Sequence, residues 1–274
     1  MGREEVIVID GSYGEGGGQI LRTSLSLAMI TGQSLKLVNI RGGRKKAGLR
    51  PQHLTAVKAC TSVCGAKVVG AKLGAKNLAF TPGPIAPSSY EFHIGTAGAA
   101  TLVLQTILPP LSLAGGISNL VVSGGTHVPW SPTYHYFEEV FIATISRLGF
   151  RCESQLNRWG WYPKGGGEIQ TRVESHKPSE SFNLKQPFEL RRVNGISASS
   201  RLPEHIRVRQ KEQLQRRFEK AGIQATIELL DVRARNPGTL VFLCAQGKDS
   251  VAGFSSLGAR GKRAEQVADE AADA

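Results

Sequence analysis

Residues 35–65 read LKLVNIRGGRKKAGLRPQHLTAVKACTSVCG, and residues 119–149 read NLVVSGGTHVPWSPTYHYFEEVFIATISRLG. In each stretch an apolar run of strand length ends at a glycine pair, Gly42-Gly43 or Gly124-Gly125. A proline follows, Pro51 or Pro132, and then apolar residues near helical spacing that stop at one glycine, Gly65 or Gly149. Gly42 and Gly124 lie 82 residues apart, the size of one compact α+β unit. Self-similarity at a long period means tandem copies of one supersecondary unit. The expectation is an α+β chain with two similar units packed side by side.

Working outward, Val6, Ile7, Val8 and Ile9 form a short strand that ends at Asp10-Gly11. A glycine-rich loop and a helix over residues 19–30 follow. Between the two repeats, residues 102–113 read as helix. The texture changes after Ser175: residues 176–186 are polar, Pro178 and Pro187 mark a boundary, and residues 188–198 look like a strand. A charged helix over 204–221 and strands over 225–231 and 239–245 complete a small inserted domain. Residues 253–261 read as a glycine-rich loop, and a helix starts at Lys262.

Composition narrows the class. The 274 residues carry 34 Lys+Arg against 22 Asp+Glu, a net charge of +12. An apolar fraction of 41% with 32 glycines excludes collagen, coiled coil and wholesale disorder. Four cysteines are too few for a disulfide scaffold, so buried reduced thiols are expected. The most lipid-like run, residues 99–113, is interrupted by Gln105, Pro109 and Pro110, and no leader-like segment opens the chain. A soluble cytoplasmic protein is therefore expected. The surplus charge is clustered: five basic residues and no acid between Arg41 and Arg50, seven basic residues against three acids between Arg201 and Lys220. Such clusters favour a polyanionic partner, although a solubilising surface would look the same.

Five glycines fall between Gly11 and Gly18, directly before a helix, where backbone N–H groups can close on an anion. There is no Gly-Lys-Ser/Thr and no dinucleotide fingerprint. Glu15 within this loop is either a solvated acid or a ligand of a divalent cation lying between it and a phosphate. Arg41 and Arg44 flank the Gly42-Gly43 turn, and Gln52 and His53 occupy the first turn of a helix opened by proline. Arginine forks and such a helix end suit phosphate, but a surface loop and a cap explain them equally. Trp159, Trp161 and Tyr162 precede a second glycine-rich turn, Pro163-Lys164-Gly165-Gly166-Gly167-Glu168, and either stack on bases or cover a sheet edge. No other histidine has a telling neighbour.

Taken together, Glu15-Gly-Gly-Gly-Gln19-Ile-Leu-Arg22, Arg41-Gly-Gly-Arg44, Gln52-His53-Leu54-Thr55 and Tyr162-Pro163-Lys164-Gly165-Gly166-Gly167 resemble the RNA 3'-terminal phosphate cyclases over almost the whole chain. The resemblance implies repeated units of a four-stranded sheet with two helices, plus a small inserted α/β domain. It divides the chain into a large domain over 1–180, the insertion over 181–250, and the start of a truncated third repeat over 251–274. It also implies a reaction in which ATP activates an RNA 3'-phosphate, through an adenylylated histidine, for closure to a 2',3'-cyclic phosphodiester. By motif, Glu15 would contact Mg2+ (or Mn2+), and Arg22, Arg41, Arg44, Gln52 and His53 would hold the RNA and nucleotide phosphates. Gln105 would contact the nucleotide, and Pro132 would line the adenine pocket. Trp159 stands where the family usually shows a basic residue.

The family's nucleophilic histidine belongs to a segment beyond the helix that starts at Lys262, so no catalytic residue is assigned here, and adenylylation of these 274 residues is not expected. An uncovered sheet edge would then invite self-association. Two other readings are a non-catalytic cyclase-like RNA-binding protein acting in ribosome assembly or rRNA processing, and an enolpyruvyl transferase with a similar repeated architecture. The Glu15 loop and the Arg41/Arg44 pair argue against the first, since a pure binder needs no metal and nucleotide pocket.

Overall fold

A computed structural model describes residues 6–175 and 188–274, so the boundary expected over 176–186 lies outside the described residues. The first unit runs β1 (Ile7–Asp10), α1 (Gly18–Thr31), β2 (Leu35–Val38), α2 (Pro51–Cys64), β3 (Lys67–Val69) and β4 (Leu78–Thr81). Its sheet has the order β1-β2-β4-β3, with β1 parallel to β2 and the other pairings antiparallel.

The second unit repeats that plan with β5 (Ser89–His93), α3 (Ala100–Ser112), β6 (Ile117–Gly124), a broken helix, β7 (Arg151–Arg158) and β8 (Gly167–Glu174). The broken helix is α4 (Tyr134–Tyr136), a π-helical stretch Phe137–Ile142, and α5 (Ala143–Ser146). The order β5-β6-β8-β7 and the strand directions match the first sheet. The repeat read from the two glycine pairs is thus a repeat of whole sheets.

Local chemistry explains the helix ends. α2 opens on Pro51, which lacks the N–H that a first turn would leave unpaired, and closes on Gly65 at φ 59°. α1 buries Leu21, Leu25, Ala28 and Met29, one stripe at helical spacing. Those side chains join Val57, Cys60 and Val63 of α2, Val103, Leu104 and Ile107 of α3, and Leu37, Phe80, Leu120 and Ile169 of the sheets in one core that spans both units. Cys60, Cys64, Cys152 and Cys244 are free thiols, and burial raises the pKa of each.

The third sheet is built differently. It contains β9 (Arg192–Ser200), α6 (His205–Lys220), β10 (Ala225–Asp231), β11 (Gly238–Gln246), β12 (Val251–Leu257) and α7 (Ala264–Asp273). Its order is β10-β9-β11-β12, so its first strand is interior where the other units place theirs at an edge. β9 and β10 are parallel, and β12 pairs with β11 from Leu240↔Leu257 to Gln246↔Val251. Val267, Ala268 and Ala271 of α7 share a core with Leu214 and Phe218 of α6 and Val241 and Leu243 of β11.

One expectation is corrected here: the glycine-rich loop expected over 253–261 is largely strand, and residues 251–273 pair with β11 and pack on α6. The sequence VAGFSSL is poor in side chains because β12 presses on the π-helical stretch: a Cβ on Gly253 would lie 2.5 Å from Val140 Cγ2. Small residues that permit close backbone approach resemble a loop in sequence.

Candidate functional site

The carboxyl end of β1 launches the glycine loop. Asp10 Oδ1 accepts from Ser12 N at 2.9 Å, Ser12 Oγ at 2.7 Å and Asn39 Nδ2 at 3.3 Å, fixing the turn. The loop then lies backbone to backbone on the Gly42-Gly43 turn, with Gly43 N donating to Gly16 O at 3.3 Å. A Cβ on Gly16, which has φ 55°, would sit 2.6 Å from Gly43 N. The contact between the two motifs therefore requires glycine.

Four of the expected residues converge beside this contact. A Cβ on Gly17 would lie 3.0 Å from Arg44 Nη2, and one on Gly18 would overlap His53 Nε2 and lie 2.9 Å from Arg22 Nη1. Arg44 Nη2 meets Glu15 Oε1 at 3.0 Å, and Glu15 is 83% exposed. The carboxylate expected beside a cation thus holds an arginine here. Among the described residues no group of three or more His, Cys, Asp or Glu side chains is arranged for a metal. One exposed carboxylate still suits Mg2+, which commonly keeps several waters and takes its other ligands from phosphates.

The electrostatics favour an anion. Arg22 has no carboxylate partner among the described residues, and burial pushes its pKa down to about 10. His53 is 9% exposed, and its Nδ1 is buried without a hydrogen-bond partner. Burial, and then the charges of Arg41, Arg22 and Arg50, push its pKa down to about 3, so the imidazole is neutral at pH 7. Neither α1 nor α2 carries an acid in its first turn, and both helix N-termini meet at this spot.

Arg41 and Gln52 make structural bonds. Arg41 Nη1 donates to Lys46 O at 2.6 Å and to Gly48 O at 3.0 Å, clasping the basic loop, so it reaches the site chiefly through its charge on His53. Gln52 Oε1 accepts from Ala99 N at 2.9 Å, joining α2 to the start of α3. From α3, Thr101 Oγ1 donates to Pro132 O at 2.9 Å. Gln105 lies one turn beyond Thr101 on the same helix face, half-buried and without a side-chain hydrogen bond among the described residues. Neither Gln105 nor Pro132 makes a hydrogen bond or ion pair with Arg22, Arg44 or His53 among the described residues.

The match to the cyclase family model, described as RNA 3'-terminal phosphate cyclase, covers residues 13–269. The chain belongs to this family. A protein of that name from Methylococcus capsulatus is 46% identical, with 97% of this chain and 76% of that protein covered. One from Trichormus variabilis is 43% identical (96% and 78% covered), and one from Thermococcus onnurineus is 41% identical (98% and 78% covered).

In this RNA 3'-terminal phosphate cyclase family member, several further residues were not singled out from the sequence. Arg50 acts on His53 from the residue before α2, and Thr101 anchors Pro132. Trp130 is 99% exposed with φ 66°, an unusual backbone state for a bulky residue. The tryptophan question is settled for Trp161, which is buried against Gly238. Trp159 stacks on His127 with ring centres 4.1 Å apart and planes 11° apart, and His127 Nε2 lies 3.0 Å from His135 Nδ1. The basic run of α6 is partly internal: Arg209 bonds Glu265 at 2.8 and 2.9 Å, and Arg217 pairs with Asp269 and Asp273 of α7.

Proposed function

We propose that this chain binds an RNA 3'-terminal phosphate and ATP, and takes part in the ATP-dependent conversion of that phosphate to a 2',3'-cyclic phosphodiester. The observation that carries the reading is Arg22, a half-buried guanidinium without a counter-ion among the described residues, beside the unpartnered Nδ1 of buried His53 under a glycine loop. A half-buried cation of this kind is costly alone and is satisfied by a phosphate oxygen.

In this reading Arg22 and Arg44 take phosphate oxygens, and the neutral His53 imidazole donates one hydrogen bond. Glu15 exchanges its bond to Arg44 for Mg2+ (or Mn2+), with Gln105 and Pro132 placing the nucleotide. ATP would supply the leaving group that makes a phosphate monoester electrophilic. The chain's own contribution is to hold the phosphates together and to offset their repulsion. Among the described residues no helix is long and apolar enough to cross a membrane, which suits a cytoplasmic RNA-processing role. Exposed Val6, Ile7 and Val8 at edge strand β1 support self-association.

The test compares affinity for RNA ending in a 3'-phosphate with affinity for the same RNA ending in a 3'-hydroxyl. The phosphate end should bind more tightly, and Arg44→Ala or His53→Ala should shrink the difference. A ratio near one in the unchanged chain would end the reading.

A further inference from the structure

A second basic surface lies where the second unit meets the small α/β domain. Leu156, Asn157, Arg158, Trp159, Gly166, Arg201 and residues 231–235 line an open cleft of about 680 Å³. The cleft sits outside the carboxyl ends of β9 and β10, the parallel pair of the third sheet, where crevices in such sheets collect ligands. Arg158, Arg201, Arg233 and Arg235 face it against one acid, Asp231, and Arg158 is paired outside the lining with Glu168 at 2.6 Å. Arg233 and Arg235 are exposed and have no ion pair among the described residues.

Two features make the cleft a built surface. Arg201 adopts φ 50° and donates Nε to Ala234 O at 2.8 Å, so a strained residue is held across the cleft rather than relaxed. Trp159 forms part of the wall, half-buried and backed by the His127 ring.

A chain of close packing contacts also links the cleft to the glycine-loop site. A Cβ on Gly98 would lie 2.8 Å from Gln52 Cβ, one on Gly165 would lie 2.9 Å from Ala97 Cα, and one on Gly166 would overlap Arg235. The turn carrying exposed Lys164 therefore spans the gap between the two basic surfaces. Asn236 Nδ2 fixes it by donating to Tyr162 O at 3.0 Å.

We propose that this cleft binds the phosphodiester backbone of single-stranded RNA upstream of the terminal phosphate, a proposal that rests on the reading of the glycine loop as the end-binding site. An open groove with guanidinium groups on separate segments and one aromatic wall suits a polymer of regularly spaced charges better than one compact anion. The strand would run from the glycine loop across Lys164 to Arg235, Arg233 and Arg201.

The test uses the full chain, its Arg233→Ala/Arg235→Ala double variant, a 3'-phosphorylated dinucleotide and a 3'-phosphorylated RNA of about twelve nucleotides. The double variant should bind the longer RNA about tenfold more weakly, with a shallower dependence on salt. It should bind the dinucleotide unchanged and keep the same preference for a 3'-phosphate. Arg233→Lys/Arg235→Lys should restore most of the affinity, since the contact is to charge. Unchanged binding of the longer RNA, an equal loss at both lengths, or a loss confined to ATP would overturn the proposal. A chain with no 3'-phosphate preference, whose length dependence still vanished in the double variant, would uphold the cleft and remove the glycine-loop reading.

Discussion

Gln52 and Ala99 are joined by a 2.9 Å hydrogen bond between two helix starts, one in each repeated unit. Ala99 is buried, and its N–H precedes the first turn of α3, where no helical carbonyl can accept it. The side chain therefore closes the seam between the units beside the glycine-loop site. Gln52→Ala should cost about 1–3 kcal/mol, the penalty for a buried donor left unpaired. Urea denaturation would measure it, and a loss within error would show that the seam is held by packing alone.

Gly18→Ala tests the cradle. Alanine favours a helix over glycine by about 1 kcal/mol, which offsets much of the cost, about 1–3 kcal/mol, of displacing the His53 ring, so the melting temperature should change little. The new methyl group would displace His53 and crowd Arg22, so affinity for phosphate ends should fall at least about tenfold. A large drop in melting temperature with binding retained would contradict the geometry.

Acid should destabilise the fold through three histidines. His53 is held down to about 3, His135 to about 4 and His127 well below 6.5, each chiefly by burial. The unfolded chain takes up protons near 6.5 that the folded chain refuses, so stability is full above that pH and falls as pH drops toward 4. Melting curves at descending pH should show this loss, and His53→Gln should reduce it. Inorganic phosphate should also reduce it, since an anion beside His53 favours the imidazolium. Stability that rose on acidification would reverse the sign.

Arg217 ties α6 to α7 through Asp269 and Asp273. All three side chains are at least one-third exposed, so screening limits their worth. Arg217→Ala should lower stability by less than about 1 kcal/mol, and the loss should shrink in high salt. Thermal melts at low and high salt would check both statements.

How much could be read from the chain follows from which signals are local. The paired glycines, the helix-opening Pro51 and the closing Gly65 record backbone geometry, so the first two units were legible. Arg22, Arg44 and His53 were legible as a motif, and the fold brings them together. Arg41 and Gln52 carried the same motif signal, yet one clasps a loop and the other bridges two units, because hydrogen-bond partners distant in sequence leave no pattern. Strand β12 was missed for the converse reason: contact with Val140 demands glycine at position 253, and glycine there mimics a turn. The histidine–tryptophan stack joins His127 and Trp159 from two loops distant in sequence, and no spacing announces it.

The matching strand orders of the first two sheets put the Gly42-Gly43 and Gly124-Gly125 turns in corresponding places, and only the first of these turns is followed by a guanidinium group. Where the first has Arg44, the second has Thr126, whose hydroxyl accepts from Gly160 N at 2.9 Å, and the neighbouring His127 lies against Trp159. In the second unit this corner instead cushions the small α/β domain, with Trp161 packed against Gly238 and sharing a core with Leu240 and Phe242.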